Sequence, residues 1–104
     1  MEYTREKIYH IMLRLHCLLR DHSDWIHFKK LKSCCAYYDN TDDEDIQITL
    51  DYRKEIIPSL IHEALHHWYP KWSESKIVKH ERLIVNKLTE KQVKNIIKAM
   101  AYYL

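Results

Sequence analysis

Two histidines four residues apart, His62 and His66, with Glu63 directly after the first, carry the most specific chemistry in this sequence. On a helix such a pair points to one side, about 40° apart around the axis and one turn apart along it, so both imidazoles can reach one cation. Zinc favours imidazole nitrogen, accepts a carboxylate as third protein ligand and keeps a further position for water. A glutamate beside the first histidine can take a proton from that water, whose pKa the metal lowers to about 7. The spacing therefore assigns His62 and His66 as metal ligands, Glu63 as general base and zinc as the expected cofactor. So short a pattern is a hypothesis that its surroundings must support.

Those surroundings are a helix predicted to start near Pro58, a residue suited to a first turn, and to be stopped by Pro70. At 100° per residue, Leu60, Ile61, Ala64, Leu65 and Trp68 fill one arc of about 140°. His62 and His66 fall outside that arc, with Glu63 about 60° beyond His66. The expectation is a core face and a separate polar face that gathers the three motif residues. His67, about 100° from His66, is expected at the surface or behind the ligands. Tyr69 lies about 20° from His62 on the wheel. It reads as a tyrosine at the edge of the core, with stabilisation of a developing oxyanion as the functional alternative.

The following helix is expected to be capped by Ser73 and to run to about Lys87. Ile77, Val78, Ile84, Val85 and Leu88 define its inward stripe. Glu74 and Glu81, seven residues apart, fall in the middle of that stripe. A bare carboxylate at a core-facing position is costly unless it is paired or coordinates a metal. Either glutamate is thus a candidate third ligand, the other possibility being pairing with lysine, arginine or histidine. His80, at the edge of the stripe, is a weaker ligand candidate.

The remaining elements have to carry these two helices. Thr4 is placed to cap a first helix whose stripe is Ile8, Ile11, Met12, Leu15, Leu18 and Leu19, ending near residues 21–23. Residues 25–32 are ambiguous between helix and strand. Residues 34–38 read as a short strand and residues 39–45 as an acidic loop. Ile46, Ile48, Leu50 and Tyr52 then alternate with polar residues as a half-exposed strand, so a hairpin is expected. Thr89 and Gln92 have capping-box spacing for a last helix, with the stripe Val93, Ile96, Ile97, Met100, Ala101 and Leu104. The expected fold class is α+β: an N-terminal helix, a short β-hairpin, the helix with the paired histidines and two further helices, in a single domain over residues 1–104.

Composition narrows the functions. The sequence contains no glycine, which argues against glycine-cradled phosphate loops. Net charge is only +2 and Lys29, Lys30 and Lys32 are the sole small basic cluster, so no nucleic-acid partner is expected. Eight histidines make the charge sensitive to pH below about 7. Cys17, Cys34 and Cys35 are odd in number and form no Cys-x-x-Cys pair; buried, reduced thiols are the expectation. No signal-peptide core and no apolar run of about 18 residues are present, so no membrane partner is expected and the predicted location is cytoplasmic.

Three stretches together carry a family resemblance: residues 46–51, residues 60–66 with the His-Glu-x-x-His pattern, and Pro70 with Ser73 and Glu74. The chain resembles the zincin metallopeptidases over about residues 46–88, specifically their glutamate-ligand branch and the small zincin-like proteins of phages and bacteria. The resemblance implies a minimal zincin-like fold in which a strand precedes the active helix and a later helix brings the last ligand. It implies zinc held by His62, His66 and a glutamate, with Glu74 matching the acidic position after the proline turn and Glu81 the alternative. It implies hydrolysis of peptide bonds with Glu63 as base. It further implies a peptide or protein substrate paired along strand 46–52, the strand that usually forms the sheet edge. The interval from His66 to Glu74 is shorter than in larger members. The alternative reading is a catalytically silent, zinc-stabilised binding module, such as a phage or viral accessory protein acting on a host partner.

Overall fold

The computed structural model describes residues 2–29, 36–39, 47–51 and 55–104. Helix α1 (Arg5–Asp21) starts where Thr4 accepts a hydrogen bond from the Lys7 N–H at 3.2 Å, satisfying one of the orphan donors of the first turn. Its predicted stripe is the buried one: Ile8, Ile11, Leu15, Leu18 and Leu19 are core residues and Met12 packs beside them. Cys17 falls on the opposite face and is exposed, which corrects the expectation of a buried thiol. Cys34 and Cys35 lie outside the described residues, as does all of the acidic loop but Asp39.

A single 3-10 turn (Ser23–Trp25) leads into strand β1 (Ile26–Lys29), so the described part of the ambiguous stretch beyond Trp25 is strand, and residues 30–32 lie outside the described residues. Strand β2 (Ala36–Asp39) and strand β3 (Gln47–Asp51) pair antiparallel, Ala36 opposite Leu50 and Asp39 opposite Gln47, as the hairpin reading requires. Strand β1 adds to the other side of β3 in parallel, Ile26 opposite Ile48, so the strand order is β1-β3-β2.

This order corrects two expectations. β3 is the central strand, not the edge, and its backbone groups are taken up on both sides. It is also not half-exposed. Thr49 is as fully buried as Ile48 and Leu50, each at 0% exposure, so both faces of β3 are covered at its centre.

Helix α2 (Ile56–Trp68) begins two residues before Pro58, which sits in the first turn, and its carbonyl of Leu65 is closed by the Tyr69 N–H at 2.8 Å. The helix packs against β2, β3, helix α3 (Glu74–Lys87) and helix α4 (Glu90–Tyr103). Leu60, Ile61, Ala64 and Leu65 are almost wholly buried there. Each of the three large side chains contributes about 1.5–3 kcal/mol by leaving water. Ser73 caps α3 by accepting from the Lys76 N–H at 3.2 Å. Thr89 and Gln92 form the predicted capping box, with bonds of 2.9 and 3.2 Å. α4 lies on α1 and buries Ile96 and Met100, but Ile97 and Leu104 of its predicted stripe are 52% and 42% exposed. The α+β class therefore holds, with a third strand that alternation did not announce.

Candidate metal centre

The site forms where α2 turns back into α3. Pro70 and Ser73 bracket a tight connection in which the Trp72 N–H bonds the Tyr69 carbonyl at 3.0 Å. Tyr69 and Trp72 stack with ring centres 4.1 Å apart, and the buried His80 ring lies 4.5 Å from Trp72 on its way to a hydrogen bond with Tyr3. The Arg14 guanidinium stands over Trp68 and donates to the Tyr69 hydroxyl at 3.1 Å. This ladder of rings fixes how α3 lies along α2 and so which of its residues meet the histidines.

Glu74, the first residue of α3, meets both. Its Oε1 is 2.7 Å from His62 Nε2 and its Oε2 is 2.8 Å from His66 Nε2. One donor atom from each of His62, His66 and Glu74 can be chosen so that all lie within 4.8 Å of one another, a group that could hold a metal ion. Glu81, two turns further along α3, reaches the other ring nitrogen: its Oε1 is 2.8 Å from His62 Nδ1. The two glutamates thus divide the imidazole between them. A carboxylate on the far nitrogen of a ligating histidine fixes its ring orientation and tautomer and raises its basicity, so Glu81 suits that supporting part and Glu74 the ligand's part.

The wheel placed both glutamates on the core side. Glu81 is 20% exposed at its side chain but Glu74, the first residue of α3, is 63% exposed. Glu63 departs in the opposite sense. Placed on a polar face by the wheel, it is only 4% exposed, since α2 has the sheet on one side and helices on others and so more than one buried face. Among the described residues its Oε2 has no hydrogen-bond partner. Burial pushes its pKa up to about 7; the His62 ring pulls the other way, and the nearby Glu74 and Glu81 charges add to the rise.

Other sequence candidates separate from the site. His80 is not in the cluster; buried against Tyr3 and Trp72, its pKa is held down first by burial and then by Lys76, Lys79 and the N-terminus. The Tyr69 hydroxyl accepts a hydrogen bond from Arg14. His67, half-buried, faces the edge of the Trp25 ring at 5.2 Å and its pKa is lowered chiefly by burial. Sequence reasoning missed the partition of the two glutamates; their seven-residue spacing showed a shared face but not which imidazole nitrogen each would meet.

Two imidazoles and a carboxylate form a donor set that fits zinc and is compatible with other divalent metals that accept imidazole. No protein-family model, curated protein or solved structure matches the chain. Fold and site together define an α+β domain that brings a His–His–Glu group to metal-binding proximity. No helix among the described residues is long and apolar enough to cross a membrane.

Proposed function

We propose that the protein is a zinc-dependent peptide hydrolase of minimal zincin-like design. The observation that carries this reading is the convergence of His62 Nε2 and His66 Nε2 on Glu74, next to the buried Glu63 carboxyl with its unpartnered oxygen. His62, His66 and Glu74 would hold the metal, and Glu81 would keep the His62 ring turned so that Nε2 faces the site. Bound zinc would polarise a substrate carbonyl and make water a stronger nucleophile at neutral pH. Glu63 accepts the proton that the attacking water gives up, and hands it to the leaving amine.

The sheet order supports a place for the substrate other than β3. Among the described residues both sides of β3 are paired, and β2 is the outer strand that α2 packs against, so β2 is the proposed partner of an extended peptide. Main-chain pairing at that edge would present a peptide carbonyl to the helix.

The test is a paired measurement on the purified protein. Glu63→Gln should leave zinc content unchanged and abolish cleavage of an unstructured protein substrate, a loss of roughly 10²-fold or more for a general base. His62→Ala and His66→Ala should lose both metal and cleavage. Zinc bound at stoichiometry with no cleavage of a broad peptide library would refute the hydrolase reading and leave the zinc-stabilised binding module.

A further inference from the structure

An apolar groove lies apart from the histidine cluster. It has a volume of about 630 Å³, with Phe28 of β1, Ile57 and Pro58 of α2 and Ile97, Ala101 and Leu104 of α4 in its lining. Phe28, Ile97 and Leu104 are 41%, 52% and 42% exposed, which is unusual for large apolar side chains gathered in one place. The same residues of α4 belong to the stripe that periodicity assigns to the core, so α4 carries more apolar face than this fold covers.

Charge says what would cover it. Around α4, Ala101 stands about 40° from Ile97, and Lys94, Lys98 and Lys91 follow on the same side at about 60°, 100° and 120°. All three lysines are exposed. Lys94 reaches Glu90 at 3.2 Å, and Glu90 is the sole acid of α4. The lip formed by α4 is therefore basic, beside an apolar floor.

We propose that this groove receives an amphipathic helix of a partner protein, with apolar side chains at helical spacing on the floor and an acidic flank over Lys94 and Lys98. Helix-in-groove docking of this kind reads apolar anchors at i, i+3/i+4 and i+7, and charge along the flanks fixes orientation. A second copy of this chain fits less well, because its α4 brings further lysines to the lysine lip. An anionic lipid surface fits less well, because the apolar residues line a concavity between three elements and do not project as a face that a bilayer could take up. The inference does not depend on the metal centre.

The full chain would be titrated, with and without chelator, against two labelled helical peptides. They share a leucine stripe; one has a glutamate flank over the α4 side and the other a lysine flank. The glutamate peptide should bind saturably, with or without chelator, and the lysine peptide roughly tenfold or more weaker. Ile97→Asp, at a half-exposed position, should leave the melting curve unchanged and weaken binding by roughly tenfold or more, as loss of a central anchor does. The double change Lys94→Glu and Lys98→Glu should reverse the preference between peptides. Binding of neither peptide, equal binding of both, binding insensitive to Ile97→Asp, preference for phosphatidylserine vesicles, or a dimer in sedimentation that Ile97→Asp dissolves would each overturn the proposal.

Discussion

Glu63→Gln should make the metal-free protein more stable relative to the parent as pH rises, and the size of the effect can be worked from the site. Glu63 is 4% exposed, with one oxygen lacking any partner, and its pKa is raised from 4.5 to about 7. The unfolded chain ionises this group near its ordinary value, and the fold resists ionisation until about pH 7. A raised carboxyl pKa favours the fold while the group stays protonated. The resulting advantage is whole below 4.5, shrinks as pH rises, and is gone above about 7, where the fold must hold a buried charge. At about 1.4 kcal/mol for each tenfold change in an equilibrium constant, the parent loses about 3 kcal/mol across that window. Glutamine does not titrate. It adds a constant offset, because its amide must also find partners, but no slope.

The assay is denaturant unfolding of both proteins in chelator from pH 4.5 to 8.5. The difference in stability should move by about 3 kcal/mol in favour of the glutamine variant between the ends of the range and flatten above pH 7, corresponding to a melting shift of roughly 10–20 °C for a domain of this size. Adding zinc should shrink the slope, because a divalent charge beside the carboxyl favours its ionised form. A difference that stays flat from pH 4.5 to 8.5 in chelator would refute the reasoning, since it would mean that Glu63 ionises in the fold as it does in water.

Further outcomes follow from the same geometry. Glu74→Gln should weaken zinc affinity strongly, whereas Glu81→Gln should cost roughly 10- to 100-fold as a partner of a ligand; competition with a chelating dye measures both, and equal effects would contradict the division of the two glutamates. Excess zinc at 100 times its Kd should raise stability by about 2.7 kcal/mol, read as a rise in melting temperature that His66→Ala abolishes. In the Glu63→Gln background, the remaining buried histidines set the acid limb. The pKa of His80 and of His67 is lowered, so their contribution is present above about 6.5 and is lost as pH falls, and His80→Gln should make that limb shallower. Ile61→Ala, at a position with 0% exposure, should cost about 2–5 kcal/mol in equilibrium unfolding.

The helices were largely legible in the sequence because their signals are local. Thr4, Ser73 and the Thr89–Gln92 pair accept the bonds that their spacing announces, and Pro70 ends α2 where a missing N–H must. The pairing of His62 with His66 is equally local, since four residues on a helix fix the angle between them. What was illegible depends on neighbours far along the chain. β1 reads ambiguously because four residues carry too little pattern to separate strand from helix, and without it β3 looks like an edge. Thr49 and Glu63 look solvated on a strand or wheel diagram because such diagrams allow one buried face, whereas β3 and α2 are each covered on more than one. Ile97 and Leu104 err in the opposite direction, since apolar spacing marks a face that wants cover but not whether this chain supplies it.

The distribution of charge around the two histidines supports a cation there more directly than the spacing does. The sequence has 17 lysines and arginines, enough to neutralise any acid that the fold merely needed to satisfy. Yet among the described residues no lysine or arginine pairs with Glu63, Glu74 or Glu81; the contacts of Glu74 and Glu81 are to imidazoles, and one oxygen of Glu63 has none. Three carboxyls held near two weak bases repel one another as each ionises, and the rise in the Glu63 pKa partly reflects that repulsion. A lysine in their midst would relieve it and would also close the site. A divalent ion would relieve it while leaving a position open, and would tie α2 more firmly to the exposed first residue of α3. The same arrangement that weakens the metal-free fold above pH 7 would give a bound metal its hold on folding.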